Sequence, residues 1–258
     1  MPELSDVEGF KRYANRHVRG ARVESVHVSD EQVLEGTTPQ GLGRALHGRT
    51  LLDHRRRGKW LLGATDGPTV LFNFGMTGYL RFSSRPDQQE EHDRVRFGLD
   101  RGQLTYASQR KLGRVALVAQ GSAIEEVTGD LGPDADEVGV QELADLLRDR
   151  RGHLKSTLMN QSAIAGLGNE LSDEILWRAR LHPDRKAADL SDQELHGLHG
   201  AMSEVLAESK RHGRIPEGPG WLESVRGESD PRCPRCGAPV DVITSAGRTA
   251  YVCSKEQR

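Results

Sequence analysis

Cysteine is scarce in this chain of 258 residues. All three cysteines fall between Cys233 and Cys253, so no disulfide framework can cross the molecule, and a lone cluster near one end reads as metal ligation in a reducing compartment. An excess of one charge sign is missing too: 36 Lys plus Arg against 38 Asp plus Glu leave a formal net charge of −2. Taken whole, that balance is not the footprint of a strongly basic nucleic-acid binder. Nor is there an unbroken apolar run. The stretch from Trp60 to Leu80 ionises only at Asp66 and has the length to span a bilayer. Gly63, Gly67, Pro68, Gly75 and Gly78 break it, which predicts paired strands and no transmembrane helix. The first residues offer neither a basic nor an apolar leader, so no secretory signal is expected. Lys and Arg are absent from Gly121 to Leu147, where Glu125, Glu126, Asp130, Asp134, Asp136, Glu137, Glu142 and Asp145 give −8.

What is present divides along the chain. Ser5 and Glu8 stand at capping-box spacing, and Val7, Phe10, Ala14 and Val18 follow at helical spacing, predicting a helix from about Asp6 to Arg19. From Arg22 to Leu117, short β-branched and apolar runs alternate with turn signals such as Asp66-Gly67 and Asp100-Arg101-Gly102. Strands in succession with no helix between them imply antiparallel sheets and a sandwich. The acidic stretch, with Gly129, Gly132 and Pro133 inside it, reads as a connection leading into a short helix at Val140 to Arg148. Beyond it the pattern is helical. Ser191 and Glu194 form a second capping box, Leu195, Leu198, Met202, Val205 and Leu206 keep one face apolar, and Gly213 supplies the stop. Residues 214–232 read as loop, and the cysteine segment follows.

Four features carry chemistry. Removal of Met1 would leave Pro2 with a free secondary amine beside Glu3. A secondary amine attacking a sugar C1′ gives an iminium with no nitrogen proton to lose, an electron sink for eliminating a neighbouring phosphate. Basic clusters come second: Arg49 to Lys59 sums to +4, Arg94 to Arg114 to +5 and Arg148 to Lys155 to +3. Such runs are ordinarily solvated faces, yet three on separate elements are what a phosphate-binding groove needs. Third, Gly166-Leu167-Gly168-Asn169 precedes a helix bearing Leu171, Ile175 and Leu176, so a glycine turn offers backbone amides to a phosphate. Fourth, Cys233-Pro234-Arg235-Cys236 followed by Cys253 is a zinc-ribbon signal whose expected fourth cysteine is Glu256. Two readings stay open there: a site of three cysteines and one glutamate, or a weakened or absent site.

Met1-Pro-Glu-Leu-Ser-Asp-Val-Glu8, Gly58-Lys59-Trp60-Leu61, Asn73-Phe-Gly-Met-Thr-Gly78, the Gly166 to Asn169 turn with Asp173-Glu174-Ile175-Leu176, and the terminal finger together resemble the formamidopyrimidine-DNA glycosylase and endonuclease VIII family. The likeness is collinear over essentially the whole chain. It implies an α+β multidomain protein. Residues 1–120 would form a catalytic antiparallel β-sandwich domain with flanking helices, and 121–139 an acidic inter-domain connection. Residues 140–215 would form a helix-two-turn-helix DNA-binding domain, and 216–258 a loop and a zinc-finger-like β-hairpin. It also implies a cytoplasmic monomer of bacterial type that acts on damaged DNA, duplex or single-stranded, with zinc as cofactor and no membrane partner.

The implied activity is that of a bifunctional DNA glycosylase and abasic-site lyase of base excision repair. It would excise oxidised bases through a Pro2 Schiff base and cleave the strand by β,δ-elimination. Pro2 matches the family's nucleophile, Glu3 its acid and Lys59 its phosphate-contacting lysine. Asn169 and Arg248 match the residues that grip the backbone around a flipped nucleotide, Glu174 a supporting glutamate, and Met76 the side chain that fills the emptied stack. Lys155, from the third basic cluster, joins the DNA-binding set, and Cys233, Cys236 and Cys253 are the metal ligands, with Glu256 at the fourth position.

Departures from the family pattern bear on specificity. Ser5 replaces a usual proline. The intercalation loop reads Gln109-Arg110-Lys111-Leu112, so Arg110 can pair with the orphaned base while Leu112 wedges without aromatic stacking. Pro216 to Asp230 shows no recognisable capping-loop motif, and the missing fourth cysteine leaves the finger to be held by packing if no metal binds. The altered loop and incomplete cysteine set prompt an alternative: a catalytically silent protein binding DNA damage or DNA structure. In either case the local clusters, and not the sum of −2, set the electrostatics. Duplex affinity measured between 50 and 200 mM salt should fall steeply, by roughly 0.9 in log–log slope per phosphate neutralised; a nearly flat response would count against the groove.

Overall fold

The computed structural model describes residues 1–85, 89–120, 123–148 and 150–258. Gly121, which bounds the acidic stretch, and Asp149, which enters the third basic sum, lie outside the described residues. The chain divides into two compact units: Met1–Pro2 with Val7–Asp130, and Glu3–Asp6 with Leu131–Arg258.

The first unit holds helices α1 (Leu4–Val18), α2 (Pro39–Leu46) and α3 (Glu125–Thr128), α1 contributing from Val7 onward. Its strands are β1 (Val23–Val28), β2 (Leu34–Glu35), β3 (Leu51–Arg57), β4 (Trp60–Thr65), β5 (Thr69–Asn73), β6 (Gly78–Ser83), β7 (Asp93–Leu99), β8 (Gly102–Ser108) and β9 (Arg114–Val118). They form a four-stranded sheet in the order β1-β7-β8-β6 and a five-stranded sheet in the order β2-β9-β5-β4-β3. Every pairing is antiparallel except the two-residue β2 with β9. Phe72 of β5 lies 5.8 Å from the Phe97 ring and 6.1 Å from Tyr106, side chains of the other sheet, so the sheets pack face to face. On the opposite face of β5, Leu71 packs with Ala116 and Val118 beneath Ile124 and Val127. Burial on both faces is why the Trp60 to Leu80 stretch reads as nearly continuous apolar sequence. Each large side chain so buried contributes about 1.5–3 kcal/mol.

Local signals explain the differences from expectation. Helix α2 interrupts the strand series. Thr38 Oγ1 accepts from Gly41 N at 3.0 Å and Pro39 opens the helix, but Gly41 and Gly43 mask its periodicity. Strand β3 was hidden by Asp53 and Arg55 to Arg57, which an edge strand tolerates. The first capping box is also displaced. Ser5 is buried with its hydroxyl unpaired, and the Glu3 amide donates to Asp6 Oδ2 at 2.9 Å. With Glu3 and Leu4 buried in the second unit, the first turn closes before Ser5 can cap it. Glu8 pairs instead with Lys11 and Arg56.

The second unit is helical: α4 (Val140–Arg148), α5 (Leu154–Leu158), α6 (Asn169–Ala179) and α7 (Asp192–His212), followed by the hairpin β10 (Val240–Ser245) and β11 (Arg248–Cys253). The second capping box is formed, since Ser191 and Glu194 exchange side-chain and backbone hydrogen bonds, and Gly213 ends α7 at φ +73°. Leu143, Leu147, Leu158, Leu171, Ile175, Leu198 and Met202 make one core, to which Leu4 also belongs. No helix among the described residues is long and apolar enough to cross a membrane.

A buried histidine gives the first unit a pH signature. His54 on β3 is 3% exposed, its Nδ1 lies 3.1 Å from Asn15 Oδ1, and Gly63 opposite leaves room for the ring. Burial holds its pKa down to about 4, against 6.5 ordinarily. The unfolded chain therefore takes up the proton first, and stability is lost as pH falls from about 6.5 to 4, by about 3 kcal/mol in all. Urea unfolding at pH 7 and pH 4.5 checks this: His54→Gln should remove that component of the pH dependence, and an unchanged dependence in the variant refutes it.

Candidate active site

Within the second unit the site is built on the start of α6. Glu3 is fully buried, and its carboxylate takes three backbone amides: Gly168 N at 2.7 Å and Leu171 N at 3.2 Å on Oε2, and Glu170 N at 2.9 Å on Oε1. These are amides that a helix leaves unpaired at its N-terminus, and the helix dipole adds to the attraction. Leu4 N donates to Gly166 O at 3.0 Å. The turn is itself held by Gln161, which accepts from Gly166 N and donates to Leu167 O. Two glycines make this approach sterically feasible. A Cβ on Gly168 would lie 2.3 Å from Glu3 Cδ, and Gly166, at φ +105°, faces the Leu4 side chain. Asn169 opens the helix with a buried side-chain oxygen that has no hydrogen-bond partner. Sequence reading had offered this turn's amides to a phosphate; Gly168 N, Glu170 N and Leu171 N are given to Glu3.

Behind α6 lies an ionic knot. Lys155 is fully buried, its ammonium 2.7 Å from Asp173 Oδ1 and donating to Thr249 O at 3.0 Å. Arg226 binds the other oxygen of Asp173 at 3.0 Å and lies over the Tyr251 ring. Burial pulls the Lys155 ammonium below its ordinary value, and Asp173 opposes that pull. The expected DNA-binding role of Lys155 meets this obstacle: its charge is spent inside the unit. Arg226 is a residue that sequence reasoning missed, and Asp173 entered only within the α6 motif, with no role given to it; the available signal was an acidic pair, Asp173-Glu174, in a helix segment that is otherwise mostly apolar. Glu174 is buried and accepts from Arg178 Nε and Leu222 N, so it anchors the segment at Trp221 and Leu222. Arg248 is exposed at the tip of the hairpin, beyond a two-residue turn, Ala246-Gly247, with both φ positive. That is the type I′ geometry.

The cysteines converge as expected. The three sulfurs lie within 4.8 Å of one another, with Cys236 and Cys253 3.6 Å apart. Tetrahedral zinc with Zn–S bonds near 2.3 Å sets sulfurs about 3.8 Å apart, so three corners fit. Glu256 does not supply the fourth. Its carboxylate is held by Arg235 at 3.0 Å and Arg180 at 3.5 Å, and among the described residues the ligand group contains only the thiols.

In the first unit, two loops are fused. Gly75 adopts φ +56° against the backbone of Leu112 and Gly113, Arg110 N donates to Thr77 Oγ1, and the Tyr106 hydroxyl donates to Asn73 O. Met76, Arg110 and Leu112 thereby come to neighbouring loops, Met76 and Leu112 with large exposed apolar side chains. Lys59 sits in a two-residue turn after Gly58, whose φ of +55° fits type II′. Pro2 is half-buried. Of the clustered cations, Arg94 is buried on Ser108 O, while Lys111 and Arg148 pair with Asp30 and Asp192. Arg49, Arg55 and Arg110 are exposed.

The second unit, helices α4 to α7 followed by a cysteine-bearing hairpin, is of the helix-two-turn-helix class. The chain matches the family model described as the formamidopyrimidine-DNA glycosylase N-terminal domain over residues 1–115, and that described as its H2TH domain over residues 131–216. The formamidopyrimidine-DNA glycosylase of Desulforamulus reducens is 34% identical over 281 residues, covering 100% of this chain and 99% of the relative. That of Roseiflexus sp. is 32% identical, covering 100% of both. Among solved structures, Lactococcus lactis formamidopyrimidine-DNA glycosylase non-covalently bound to DNA with an abasic site superposes with TM-score 0.90 at 27% identity, over 99% of each chain. MutM in complex with DNA containing carbocyclic 8-oxo-G gives 0.92 at 27% identity over 100% of each. The chain belongs to the formamidopyrimidine-DNA glycosylase family.

Gly168→Ala tests the clamp. The intruding Cβ should cost about 1–3 kcal/mol of stability, whereas Gly200→Ala on α7, where nothing lies within 4 Å, should be neutral or stabilising by up to ~1 kcal/mol. Equal thermal midpoints for Gly168→Ala and the wild type would show that Glu3 is not held as described.

Proposed function

We propose that the chain is a bifunctional DNA glycosylase and abasic-site lyase that removes oxidised bases, formamidopyrimidines among them. The observation that carries the reading is the Glu3 carboxylate, fixed by three amides at the start of α6 and one peptide bond from Pro2. With Met1 removed, the Pro2 nitrogen attacks C1′ of the damaged nucleotide. A new C1′–N bond forms as the bond to the base breaks, and the base leaves with a proton. Glu3 delivers a proton to the ring oxygen, the C1′–O4′ bond opens, and a Schiff base remains. Loss of a C2′ proton then expels the 3′ phosphate, loss of a C4′ proton expels the 5′ phosphate, and water releases Pro2. Positioning a group for proton transfer is worth roughly 10²–10⁴ in rate.

Residues of each unit, taken separately, have the chemistry for access to the base. An enzyme that works on C1′ must extrude the nucleotide at a cost of a few kcal/mol. Met76, Arg110 and Leu112, presented on the two fused loops of the first unit, have the chemistry to fill the vacated stack and pair with the orphaned base. Asn169, with its buried unpaired oxygen, Lys59 at a hairpin tip and the exposed Arg248 are the proposed contacts to the backbone. Relatives named for formamidopyrimidine-DNA and neighbours solved on abasic-site and 8-oxo-G DNA support this substrate class.

Borohydride trapping provides the decisive measurement. Chain with a processed N-terminus, mixed with duplex containing an abasic site or oxidised guanine, should give a covalent protein–DNA adduct. Pro2→Gly should abolish strand cleavage and Glu3→Gln should slow ring opening, and with it adduct formation and strand cleavage, by about 10²–10⁴-fold, both with DNA affinity retained. Binding without any adduct from processed wild type would identify a protein that recognises damage but does not turn over, and would overturn the proposal.

A further inference from the structure

A fourth cysteine in a zinc ribbon does two jobs: it completes the metal's coordination and it ties the last turn of the chain to the hairpin. In this molecule the second job is done without a metal ligand. Gln257 is 4% exposed; its Oε1 accepts from Cys253 N at 2.9 Å and its Nε2 donates to Leu181 O at 2.9 Å. Arg258 exchanges backbone hydrogen bonds with the segment just after α6, Arg258 N to Arg180 O at 3.2 Å and His182 N to Arg258 O at 2.9 Å. The segment after Cys253 is thus pinned at two consecutive residues. On the knuckle side, Arg235 lies 4.2 Å over the Trp177 ring and donates to Trp177 O, while Trp177 Nε1 donates to Cys233 Sγ at 3.3 Å. Leu222, Val240 and Tyr251 close a small apolar core around Cys233 and Cys253. The Glu256 carboxylate completes an ion-pair bridge between Arg235 and Arg180.

Among the described residues no fourth ligand joins the thiols. Three thiols stand at metal-binding separation, and the side chain at the fourth position faces two guanidinium groups. A carboxylate so paired gives up two charge-assisted contacts if it swings to a metal. We propose that Cys233, Cys236 and Cys253 form an open three-thiolate site that takes a thiophilic divalent cation such as zinc reversibly, with an exchangeable small ligand at the fourth position, and that the ribbon keeps its fold when the metal leaves. Such a site differs from a closed four-ligand structural site, where the metal's binding energy is folding energy.

The test uses the full chain with zinc alone as probe. One equivalent of zinc should bind, and a chromophoric chelator should withdraw it within minutes. Amide-exchange protection of residues 240–253 should survive the withdrawal. Glu256→Gln should change zinc affinity by less than threefold, because the carboxylate is not a ligand. Glu256→Cys should slow release at least tenfold and shift the visible spectrum of the cobalt(II)-substituted protein to that of a four-sulfur set. Gln257→Ala should lower the thermal midpoint of the metal-free protein. Loss of ribbon protection on chelation, a tenfold or greater weakening in Glu256→Gln, or no zinc uptake by the wild type would each overturn the proposal.

Discussion

The site depends on one contact, the carboxylate of residue 3 seated on the amides of residues 168, 170 and 171. It is electrostatic and steric at once. The helix start supplies donors that would otherwise go unpaired, and the glycine at 168 supplies the gap through which a carboxylate can reach them. Everything around it keeps the geometry fixed: Gln161 braces the turn, Leu4 fills the adjoining apolar slot, and Asp6 receives the Glu3 amide. A side chain held at both ends of its own residue has almost no rotamer freedom, which is what the proton delivery proposed for Glu3 requires.

Much of this was legible in the sequence because it was local. The capping box at Ser191 and Glu194, the helix at Val140 to Arg148 and the Gly213 stop are each decided within a few residues, and all form. The sandwich was legible because its hairpin turns are marked by Asp-Gly and glycine signals. Strand β3 was not, since its arginines follow an edge position that only the finished sheet defines. Ser5 misled for a related reason: its spacing to Glu8 is right, but residues more than 160 positions away bury the turn it would have capped. Lys155 shows the same limit in the site. A lysine in a basic run looks solvated until the fold places Asp173 and Thr249 O beside it.

Charge bookkeeping changes accordingly. Part of the positive charge in the three clusters is consumed internally by Ser108 O, Asp30, Asp192 and Asp173. The exposed remainder, Arg49, Arg55 and Arg110 among it, is smaller and more sharply placed. The knot around Asp173 turns Lys155 and Arg226 into braces for the hairpin that carries Arg248. Removing one partner of such a buried pair typically costs about 3–5 kcal/mol, so those cations hold the hairpin in place from within the unit.

The span between Glu3 and its amides also sets a schedule. At synthesis rates of about 5–20 residues per second, the chain waits roughly 10–30 s after residue 3 is made before residue 171 exists. During that interval the amides that hold Glu3 and most of the core that surrounds Leu4 do not yet exist. The chemistry proposed for Pro2 needs Met1 cut away. Late closure of the clamp is the window that the proposed cut requires, and the clamp then fixes the residue next to Pro2.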